Sequence, residues 1–396
     1  MSASKTIVLV HQNIPAQFRN LAPALAAAGH RVFFVTNGAG EVRGTTKVHY
    51  QIDKSNDDPN VIQVQYAQRV GRALVYLKEK LDVVPDLIIG HVSWGELMFV
   101  RDIYPHVPLI GYFEWFHHLR HISQHPDGVG NPNAPFVFRV KNVPNYVCWD
   151  ICNLGITPTW WQHSTFPKEM QSKLNVVHDG VDTVSIRRPE RAALRLQDGR
   201  VLTSEDEVVT YVARGLEPVR GFPTFIRSVA ELCRRRPNCH VLIIGKETTS
   251  YGNPLPDGQT YKGHLLKEVA IDESRVHFLG WVDYQVLLQA FYISSAHVYL
   301  TMPFILSWSF MEAMAAECLV IGSRTPPVEE VIVDGHNGLL VDFSDHLSLA
   351  ERISAVLDKP GDYEPIRREA RRTILERYDL HGICLPRQKA LIASLL

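Results

Sequence analysis

The sequence lacks any hydrophobic run long enough to cross a membrane. Its longest apolar stretches fall well short of the roughly 18 residues that a transmembrane helix needs. The run Thr6–Val10, which follows Met1–Lys5, is also too short for the hydrophobic part of a secretory signal. We expect this run to form a first β-strand and the protein to be located in the cytoplasm.

An excess of charge of one sign is absent too, and cysteine is scarce. The 41 Lys and Arg residues balance 42 Asp and Glu residues, so no overall basic field would attract nucleic acid. Six cysteines in 396 residues, of which Cys148 and Cys152 are the closest pair, match neither a disulfide framework nor a zinc ribbon. We expect reduced thiols in the core of an ordinary globular chain.

Several motifs of nucleotide chemistry and hydrolysis are also missing. The polar run His11–Phe18 follows the first predicted strand without a Gly-x-Gly-x-x-Gly fingerprint, which argues against an NAD enzyme. The chain contains no Gly-x-x-x-x-Gly-Lys-Ser/Thr loop for nucleotide hydrolysis. It also has no Gly-x-Ser-x-Gly elbow, so an α/β-hydrolase is not expected.

What the chain does contain is a regular alternation of short β-rich runs with amphipathic segments, which is typical of βαβ units and parallel sheets. The predicted strands are Thr6–Val10, Arg31–Thr36, Leu87–Gly90, Pro108–Phe113, Leu154–Thr157, Asn175–His178, Val208–Val212, His240–Gly245, Val276–Leu279, Val298–Leu300, Leu319–Gly322 and Gly338–Val341. The predicted helices are Gln17–Ala28, Val64–Leu81, Phe222–Arg235, Tyr284–Tyr292, Phe310–Ala316, Leu347–Leu357, Tyr363–Glu376 and Leu380–Leu395.

The alternation is interrupted once, where an arginine-rich stretch shows little strand signal. We therefore predict an N-terminal domain over residues 1–180, a connector over 181–206, a C-terminal domain over 207–378, and a terminal helix over 379–396. Both domains are expected to be Rossmann-like α/β units. Ligands of such sheets bind beyond the carboxyl ends of the strands. The arginine cluster Arg367 to Arg372 is interpreted as a solvated cationic face.

A Gly- and Pro-rich loop that leaves a predicted strand is the first candidate site. Arg214 and Arg220 lie six residues apart in this loop, where two guanidinium groups could hold a diphosphate by charge-assisted hydrogen bonds. The alternative is a solvated loop whose arginines pair with Glu217 or another carboxylate. The residues alone leave both interpretations open.

The second candidate site is the start of a helix at residues 303–316. Ser307 and Ser309 at the mouth of a helix that follows a strand would suit a phosphate, because free backbone N–H groups and the helix dipole point there. Glu312 could accept hydrogen bonds from a ribose diol. However, Ser309-x-x-Glu312 also has the spacing of a capping box, so Glu312 could instead close its own helix.

The third candidate is an aromatic and histidine-rich segment, Tyr112–His125, at the end of another strand. Aromatic faces suit sugar rings, and Glu114 with nearby histidines suits hydroxyl groups. The alternative for Glu114 is a structural ion pair with Arg101 or Arg120. A metal site is a second interpretation, but the spacing of the histidines matches no standard zinc pattern. We favour an acceptor-binding loop. The candidate ligands of the metal alternative are His117, His118, His121 and His125.

In this order and spacing, the motifs resemble the retaining glycosyltransferases of family 4, also called glycosyl transferases group 1. The segment 178–182 is similar to the Asn-Gly-Val-Asp junction of that family, and 276–282 resembles the strand and turn beside the nucleotide base. Arg214 and Arg220-Gly221 match the Arg and Lys-Gly positions that hold the donor diphosphate. Glu312-Ala313-Met314-Ala315 resembles the helix start whose Glu contacts the ribose, which favours the ribose interpretation of Glu312. The segment 330–341 matches the family as well.

The resemblance implies the GT-B fold, in which two Rossmann-like domains face each other across a cleft and a C-terminal helix crosses back to the N-terminal domain. It also implies transfer of a sugar from a nucleotide diphosphate to an acceptor hydroxyl with retention of configuration. No metal or other cofactor is then required, which agrees with the lack of an Asp-x-Asp motif.

Three positions depart from the family pattern. Phe304 stands eight residues before Glu312, where the family has a first Glu in contact with the donor sugar, and Ser307 replaces a Gly. Many members also carry a His where this chain has Glu114. We therefore assign catalytic roles to Arg214, Arg220 and Glu114. Expected donor contacts are Ala16, Gly215, Gly245, Lys246, Trp281, Val282, Phe304, Ser307, Trp308, Ser309 and Glu312, and expected acceptor contacts are Gln12, His91, His117 and His118.

The expected partners are a UDP- or GDP-linked sugar donor and a saccharide, lipid-linked or small-molecule acceptor. The products would be polysaccharide, glycolipid or another glycoconjugate, and peripheral contact with the cytoplasmic membrane face is left open. Two alternatives remain at this point: a non-hydrolysing nucleotide-sugar 2-epimerase, and a non-catalytic nucleotide-sugar binding protein.

Overall fold

The computed structural model describes residues 4–53, 58–118 and 132–396 and divides the chain into two compact units. Within the described residues, unit 1 contains 4–53, 58–118, 132–180 and 380–396, whereas unit 2 contains 181–379. The C-terminal segment thus belongs to unit 1. None of the helices in the described ranges is long and apolar enough to span a membrane.

Unit 1 is built on a sheet of seven parallel strands. The strands are β1 (Thr6–Val10), β2 (Arg31–Thr36), β3 (Thr45–His49), β4 (Leu87–His91), β5 (Leu109–Tyr112), β6 (Leu154–Thr157) and β7 (Leu174–Val176). They are arranged in the order β3-β2-β1-β4-β5-β6-β7. Its helices are α1 (Leu21–Ala27), α2 (Pro59–Lys80), α3 (Val100–Ile103), α4 (Ala134–Lys141), α5 (Val143–Ile151), α6 (Trp160–Thr165) and α7 (Lys168–Gln171).

Unit 2 contains a short antiparallel hairpin and a second parallel sheet. The hairpin strands are β8 (Ala193–Arg195) and β9 (Val201–Thr203), and the sheet strands are β10 (Val208–Gly215), β11 (His240–Lys246), β12 (Val276–Gly280), β13 (Ala296–Tyr299), β14 (Val320–Ser323) and β15 (Leu339–Val341). The sheet order is β12-β11-β10-β13-β14-β15. The helices are α8 (Phe222–Arg235), α9 (Tyr261–Glu268), α10 (Tyr284–Ile293), α11 (Trp308–Ala315), α12 (Pro326–Glu329), α13 (His346–Asp358) and α14 (Glu364–Arg377).

The strands appear in the sequence as apolar runs because both faces of each sheet are covered. Along β1, Ile7 and Leu9 pack into one core and Val8 and Val10 into another, all with no exposed surface. The chain ends in a π-helical turn (Leu380–Cys384) and α15 (Leu385–Ala393), whose residues pack in unit 1. The predicted α/β class with two parallel sheets is therefore confirmed.

Most predicted elements are present within a few residues, but three kinds of element were missed. The edge strand β3 has a single apolar residue, Val48, and therefore lacks an apolar run. The helices α3 to α7, α9 and α12 were also missed. The predicted connector contains the hairpin β8–β9, in which Leu194 and Leu202 are buried.

The interpretation of the arginine cluster on α14 as a solvated face is wrong for two of its members. Arg367, 3% exposed, donates to the carbonyl oxygens of Ser294, Ser295 and Glu317. Arg371 donates to backbone carbonyls of the 183–186 segment and of α11. These guanidinium groups hold α14 to the rest of unit 2, because they donate hydrogen bonds to backbone carbonyl groups at the ends of other segments.

Candidate functional site

Each parallel sheet has one point at which the strand order reverses, between β1 and β4 in unit 1 and between β10 and β13 in unit 2. The loops at the carboxyl ends diverge at such a point, so it is the usual place for a ligand in an open α/β sheet. Two of the three sequence candidates follow β10 and β13, at the reversal point of unit 2, and the third follows β5, which pairs with β4 in unit 1. Each unit is described by itself.

In unit 2, β10 runs into a 3₁₀ turn, Pro218–Arg220, followed by Gly221 and α8. Gly221 has a φ of +65°, and a Cβ there would lie 2.5 Å from Leu300, so the tight turn requires glycine. This turn presents Arg220 at the sheet edge. Its Nη1 donates to the Tyr299 hydroxyl at 3.0 Å and to the Thr301 hydroxyl at 2.8 Å.

The Arg220 guanidinium also lies beside two aromatic rings that contact each other. Its central carbon is 5.3 Å from the ring centre of Tyr251 and 5.6 Å from that of Phe304. Both hydrogen bonds of the guanidinium to described residues use Nη1. The Nε–Nη2 edge is therefore left for a ligand, and it is this kind of edge that binds a phosphate in a bidentate manner.

Glu217 does not pair with either arginine, so that alternative from the sequence is wrong. Its carboxylate is fully buried and accepts backbone N–H bonds of 2.9–3.2 Å from Ser250, Tyr251 and Gly252. Glu217 thereby fixes the loop that carries Tyr251 against Arg220. Gly215 allows this loop to lie close to the end of β10, because a Cβ there would lie 2.4 Å from the carbonyl oxygen of Thr248.

Arg214 is exposed at the end of β10, with its guanidinium carbon 5.9 Å from the ring centre of Tyr251. Tyr251 thus contacts both arginines. Two permanent positive charges therefore lie near the same aromatic ring, the buried one fixed by hydrogen bonds and the exposed one accessible to solvent. The arrangement suits an anion with two charged groups.

Phe304 is largely buried and packs edge-to-face on Tyr251, with ring centres 5.2 Å apart. It therefore covers Arg220 at the position where the family has a carboxylate. Ser307, Trp308 and Ser309 form the start of α11, and the Ser307 and Ser309 hydroxyls hydrogen-bond each other. The backbone N–H of Ser307 donates to the Tyr299 hydroxyl at 2.9 Å, which joins this helix start to the Arg220 cluster.

The capping-box interpretation of Glu312 is wrong. The N-cap of α11 is Ser307, which makes no side-chain capping bond, and Ser309 is already the second residue of the helix. Glu312 is 4% exposed and accepts a hydrogen bond of 3.3 Å from the Tyr284 hydroxyl. This carboxylate therefore does not close its own helix.

The other expected donor contacts lie at the ends of β11 and β12. Lys246 follows Gly245, and its ammonium nitrogen lies 5.0 Å from the ring centre of Trp281. Trp281 is 68% exposed, and the half-buried Val282 follows it. An exposed indole beside a cation offers a face for a planar group.

In unit 1, Glu114 follows β5 and its carboxylate is held on both oxygens. Gln17 donates to Oε1 at 2.8 Å, and Nε2 of His91 lies 3.3 Å from Oε2. Arg101, which the sequence offered as a structural partner, instead donates to the carbonyls of Ile151, Pro105 and Val107 and to a side-chain amide. Arg120, the other offered partner, lies outside the described residues.

Three other expected contacts of unit 1 lie beside Glu114 or after β1. His91 is 1% exposed and contacts Glu114, so it is placed to orient that carboxylate rather than to meet an acceptor directly. Gln12 donates its backbone N–H to Oε1 of Glu96 at 2.9 Å. Ala16 begins a 3₁₀ turn with a φ of +47°, in the left-handed region that non-glycine residues seldom adopt.

The histidine segment is only partly described. The backbone of His117 exchanges two hydrogen bonds with the side chain of Asn142, and the ring of His118 packs near Phe116. His121 and His125 of the metal alternative lie outside the described residues. In the ranges that the structure describes, no group of three or more His, Cys, Asp or Glu residues is placed to hold a metal ion.

Glu96 is a buried carboxylate that the sequence interpretation missed. It is 1% exposed, and burial raises its pKa to about 7. The folded state therefore retains a proton that the unfolded chain loses above its ordinary pKa near 4.5, so stability decreases as pH rises through about 7.

We expect Glu96→Gln to stabilise the protein at pH 8 by about 1–3 kcal/mol, since Gln keeps the acceptor for Gln12 without a buried charge. Urea unfolding at pH 5 and pH 8 measures this, and the exposed Glu169→Gln is the control. An equal effect of Glu96→Gln at both pH values would contradict the prediction.

Several site residues carry no signal in the sequence. Tyr251 lies in the loop after β11, whereas Tyr299 and Thr301 lie at the end of β13, and all three meet at Arg220. Gln17 reaches Glu114 across 97 residues. In the sequence, only their positions near strand ends could have identified these residues as candidates for the site. Strand ends are too numerous in such a fold for that signal to select them.

Comparison with known proteins identifies two family models that match the chain. The model of the glycosyl transferase family 4 group matches residues 28–186, and that of the glycosyl transferases group 1 matches residues 196–373. D-inositol 3-phosphate glycosyltransferase of Corynebacterium efficiens is 29% identical over 192 residues, 47% of this chain and 43% of the relative. Phosphatidyl-myo-inositol mannosyltransferase of Mycolicibacterium smegmatis is 28% identical over 187 residues, 46% of this chain and 42% of the relative. The alignments thus span less than half the length of these curated relatives.

Solved structures resemble the chain over nearly its whole length. Sucrose-phosphate synthase of Thermosynechococcus elongatus has a TM-score of 0.76 at 17% identity, covering 98% of this chain and 100% of that one. HepE of Anabaena, solved in complex with UDP-glucose, has a TM-score of 0.71 at 16% identity, covering 99% and 100%. These likenesses show the fold, which is GT-B. Together with the two family models, they place the chain in the family 4, group 1 glycosyltransferases.

Proposed function

We propose that this protein is a retaining glycosyltransferase that moves a sugar from a nucleotide diphosphate to an acceptor hydroxyl. The observation that carries the proposal is the arrangement at the end of β10. Arg214 and the Nε–Nη2 edge of Arg220 lie beside Tyr251, and Ser307 at the start of α11 is joined to the same cluster through Tyr299. This arrangement suits a diphosphate, and Glu312 suits the ribose of the same nucleotide.

The chemistry follows from the charge that develops on the leaving diphosphate. As the bond between the anomeric carbon and the phosphate oxygen breaks, negative charge collects on that oxygen, and fixed cations stabilise it. In the front-face displacement that the family resemblance implies, the acceptor oxygen attacks from the same side and its proton passes to the leaving phosphate. The fixed guanidinium of Arg220 is preorganised for this charge, because Tyr299 and Thr301 hold it in place.

We assign the acceptor to unit 1, at Glu114. Its side chain is 20% exposed, and both oxygens are held by donors from behind, so the exposed part can accept a hydrogen bond from a hydroxyl group. The curated relatives carry names that refer to inositol phosphate and phosphatidyl-inositol acceptors. A polyol acceptor is therefore the first class to test.

A second candidate function, nucleotide-sugar binding without turnover, is favoured by one observation. Phe304 stands where the family has a carboxylate, and its ring packs against Arg220 and Tyr251. Incubation with radiolabelled UDP- and GDP-sugars and a panel of polyols and saccharides separates the candidates. Labelled acceptor supports transfer, an altered donor sugar supports the 2-epimerase alternative, and binding without turnover supports the second candidate.

Glu312→Gln tests the ribose contact. Gln removes the negative charge and replaces one acceptor oxygen by a donor, so we expect nucleotide affinity to fall about tenfold, on the scale of one hydrogen bond to a charged group. The melting temperature should change little because Glu312 does not cap its helix. Titration calorimetry with UDP and GDP measures the affinity. Tyr284→Phe is the control, since it removes the Tyr284 hydroxyl and leaves the carboxylate; unchanged affinity in Glu312→Gln would contradict the contact.

A further inference from the structure

His91 ends β4, and its imidazole lies behind the carboxylate of Glu114. The side chain is 1% exposed, and Nε2 is 3.3 Å from Oε2 of Glu114. Gln17 holds the other carboxylate oxygen at 2.8 Å. The direction of the Glu114 carboxylate is therefore decided by two donors, of which only His91 can carry a positive charge.

The imidazole ring is itself held in place. It stacks on the ring of Tyr112 with centres 5.7 Å apart, and the Tyr112 hydroxyl donates to Asp179 at 2.8 Å. The ring of His11 packs against its other side at 4.9 Å. Nδ1 of His91 is buried and has no hydrogen-bond partner within the described residues, so Nε2 makes its one polar contact there.

The groups that face His91 favour a positive charge on it. Three carboxylates surround it, from the segments after β5, β4 and β7: Glu114, Glu96 and Asp179. Burial alone would lower the pKa of His91, but the hydrogen bond to Glu114 and the charges of these carboxylates raise it above its ordinary value. His11, after β1, stays neutral, since burial and the charge of His91 hold its pKa well below the ordinary value.

We propose that His91 is a positioning residue for sugar transfer, which as an imidazolium donates its Nε2 proton to Glu114 and holds that carboxylate ionised in the direction of the acceptor hydroxyl. This inference rests on the proposed acceptor role of Glu114. A charged donor binds a carboxylate more strongly than a neutral one. As pH rises through the pKa of His91 in the folded protein, the charge is lost and the hold on Glu114 weakens. Transfer should then slow.

The first test is the pH profile of transfer in the full-length protein and in His91→Gln, with labelled UDP- or GDP-sugar and the acceptor found in the assay above. Gln keeps an amide donor but never carries a charge. We expect kcat of the wild-type protein to fall about five- to tenfold above the pKa of His91. In His91→Gln, kcat should be lower by a similar factor at low pH and constant across the same range. KM for the nucleotide sugar should stay within about twofold.

Two further variants sharpen this test. Glu96→Gln removes a carboxylate that faces His91, so the fall in kcat should move to lower pH. His163→Gln, a half-buried histidine on α6 that contacts the backbone of Gln171, should leave the profile unchanged. The proposal would be overturned if kcat of His91→Gln fell at the same pH as kcat of the wild-type protein. It would also be overturned if the pH of this fall were unchanged in Glu96→Gln.

The second test needs no substrate. Titration of the imidazole signals by NMR gives the pKa of His91 in the wild-type protein and in Glu114→Gln, and we expect the substitution to lower it by about 1 pH unit or more. An unchanged pKa would overturn the proposal whatever the enzyme's activity. Absence of turnover in the wild-type protein would instead overturn the proposed function and with it the role of His91.

Discussion

Replacing Arg220 with alanine is expected to lower the rate of sugar transfer by roughly 30- to 900-fold, which corresponds to about 2–4 kcal/mol for one preorganised charged donor. The reason is that the substitution removes the guanidinium edge that is left for the diphosphate. Steady-state kinetics with the nucleotide sugar measures the loss. Arg220→Lys should lose less, because the family carries Lys at this position and the charge is kept.

Arg220 is buried and packs against two rings, so Arg220→Ala is also expected to destabilise unit 2. Circular dichroism and the melting temperature therefore accompany the kinetics, which are run well below the melting temperature. Arg227→Ala provides the matched control, since that arginine lies on α8 in the same unit, forms an ion pair with Glu268 at the surface and donates to the Pro223 carbonyl of its own helix. Wild-type turnover in folded Arg220→Ala would exclude Arg220 from the diphosphate site.

Replacing Glu114 with glutamine is expected to lower transfer by about 100-fold or more, in the range observed for groups that handle the proton or orientation of a reacting hydroxyl. Gln occupies nearly the same volume, and its oxygen can still accept from Gln17, so the fold should be retained. Nucleotide affinity, measured by calorimetry, should stay within about twofold, or about 0.4 kcal/mol. This split between turnover and donor binding is the signature of an acceptor-side residue.

The control for Glu114 is Glu169→Gln, an exposed carboxylate on α7 in the same unit. That variant should match the wild-type protein in both measurements. If transfer survives in Glu114→Gln, Glu114 does not orient the acceptor. If nucleotide binding collapses together with transfer, the residue belongs to the donor site instead.

Arg220 and Phe304 show what a sequence motif or a family resemblance can predict and what it cannot. The loop around Arg220 was predicted from a strand end, two arginines and a Gly-rich turn, because these features are local in the chain. The role of Phe304 was not predictable in the same way. The ring of Phe304 packs beside Arg220 together with the ring of Tyr251. Tyr251 belongs to another loop, which the buried carboxylate of Glu217 holds in place.

The sequence by itself determined the two α/β units and most strands of their parallel sheets, because buried parallel strands need continuous apolar runs that stand out from amphipathic helices. It also determined which loops lie at the carboxyl ends. Only the tertiary structure decided that Glu312 does not cap its helix, that Glu217 binds a loop rather than an arginine, and that His91 lies behind Glu114. These contacts join residues that are far apart in the chain, and the distances between side chains depend on how strands and helices pack, which no local pattern records.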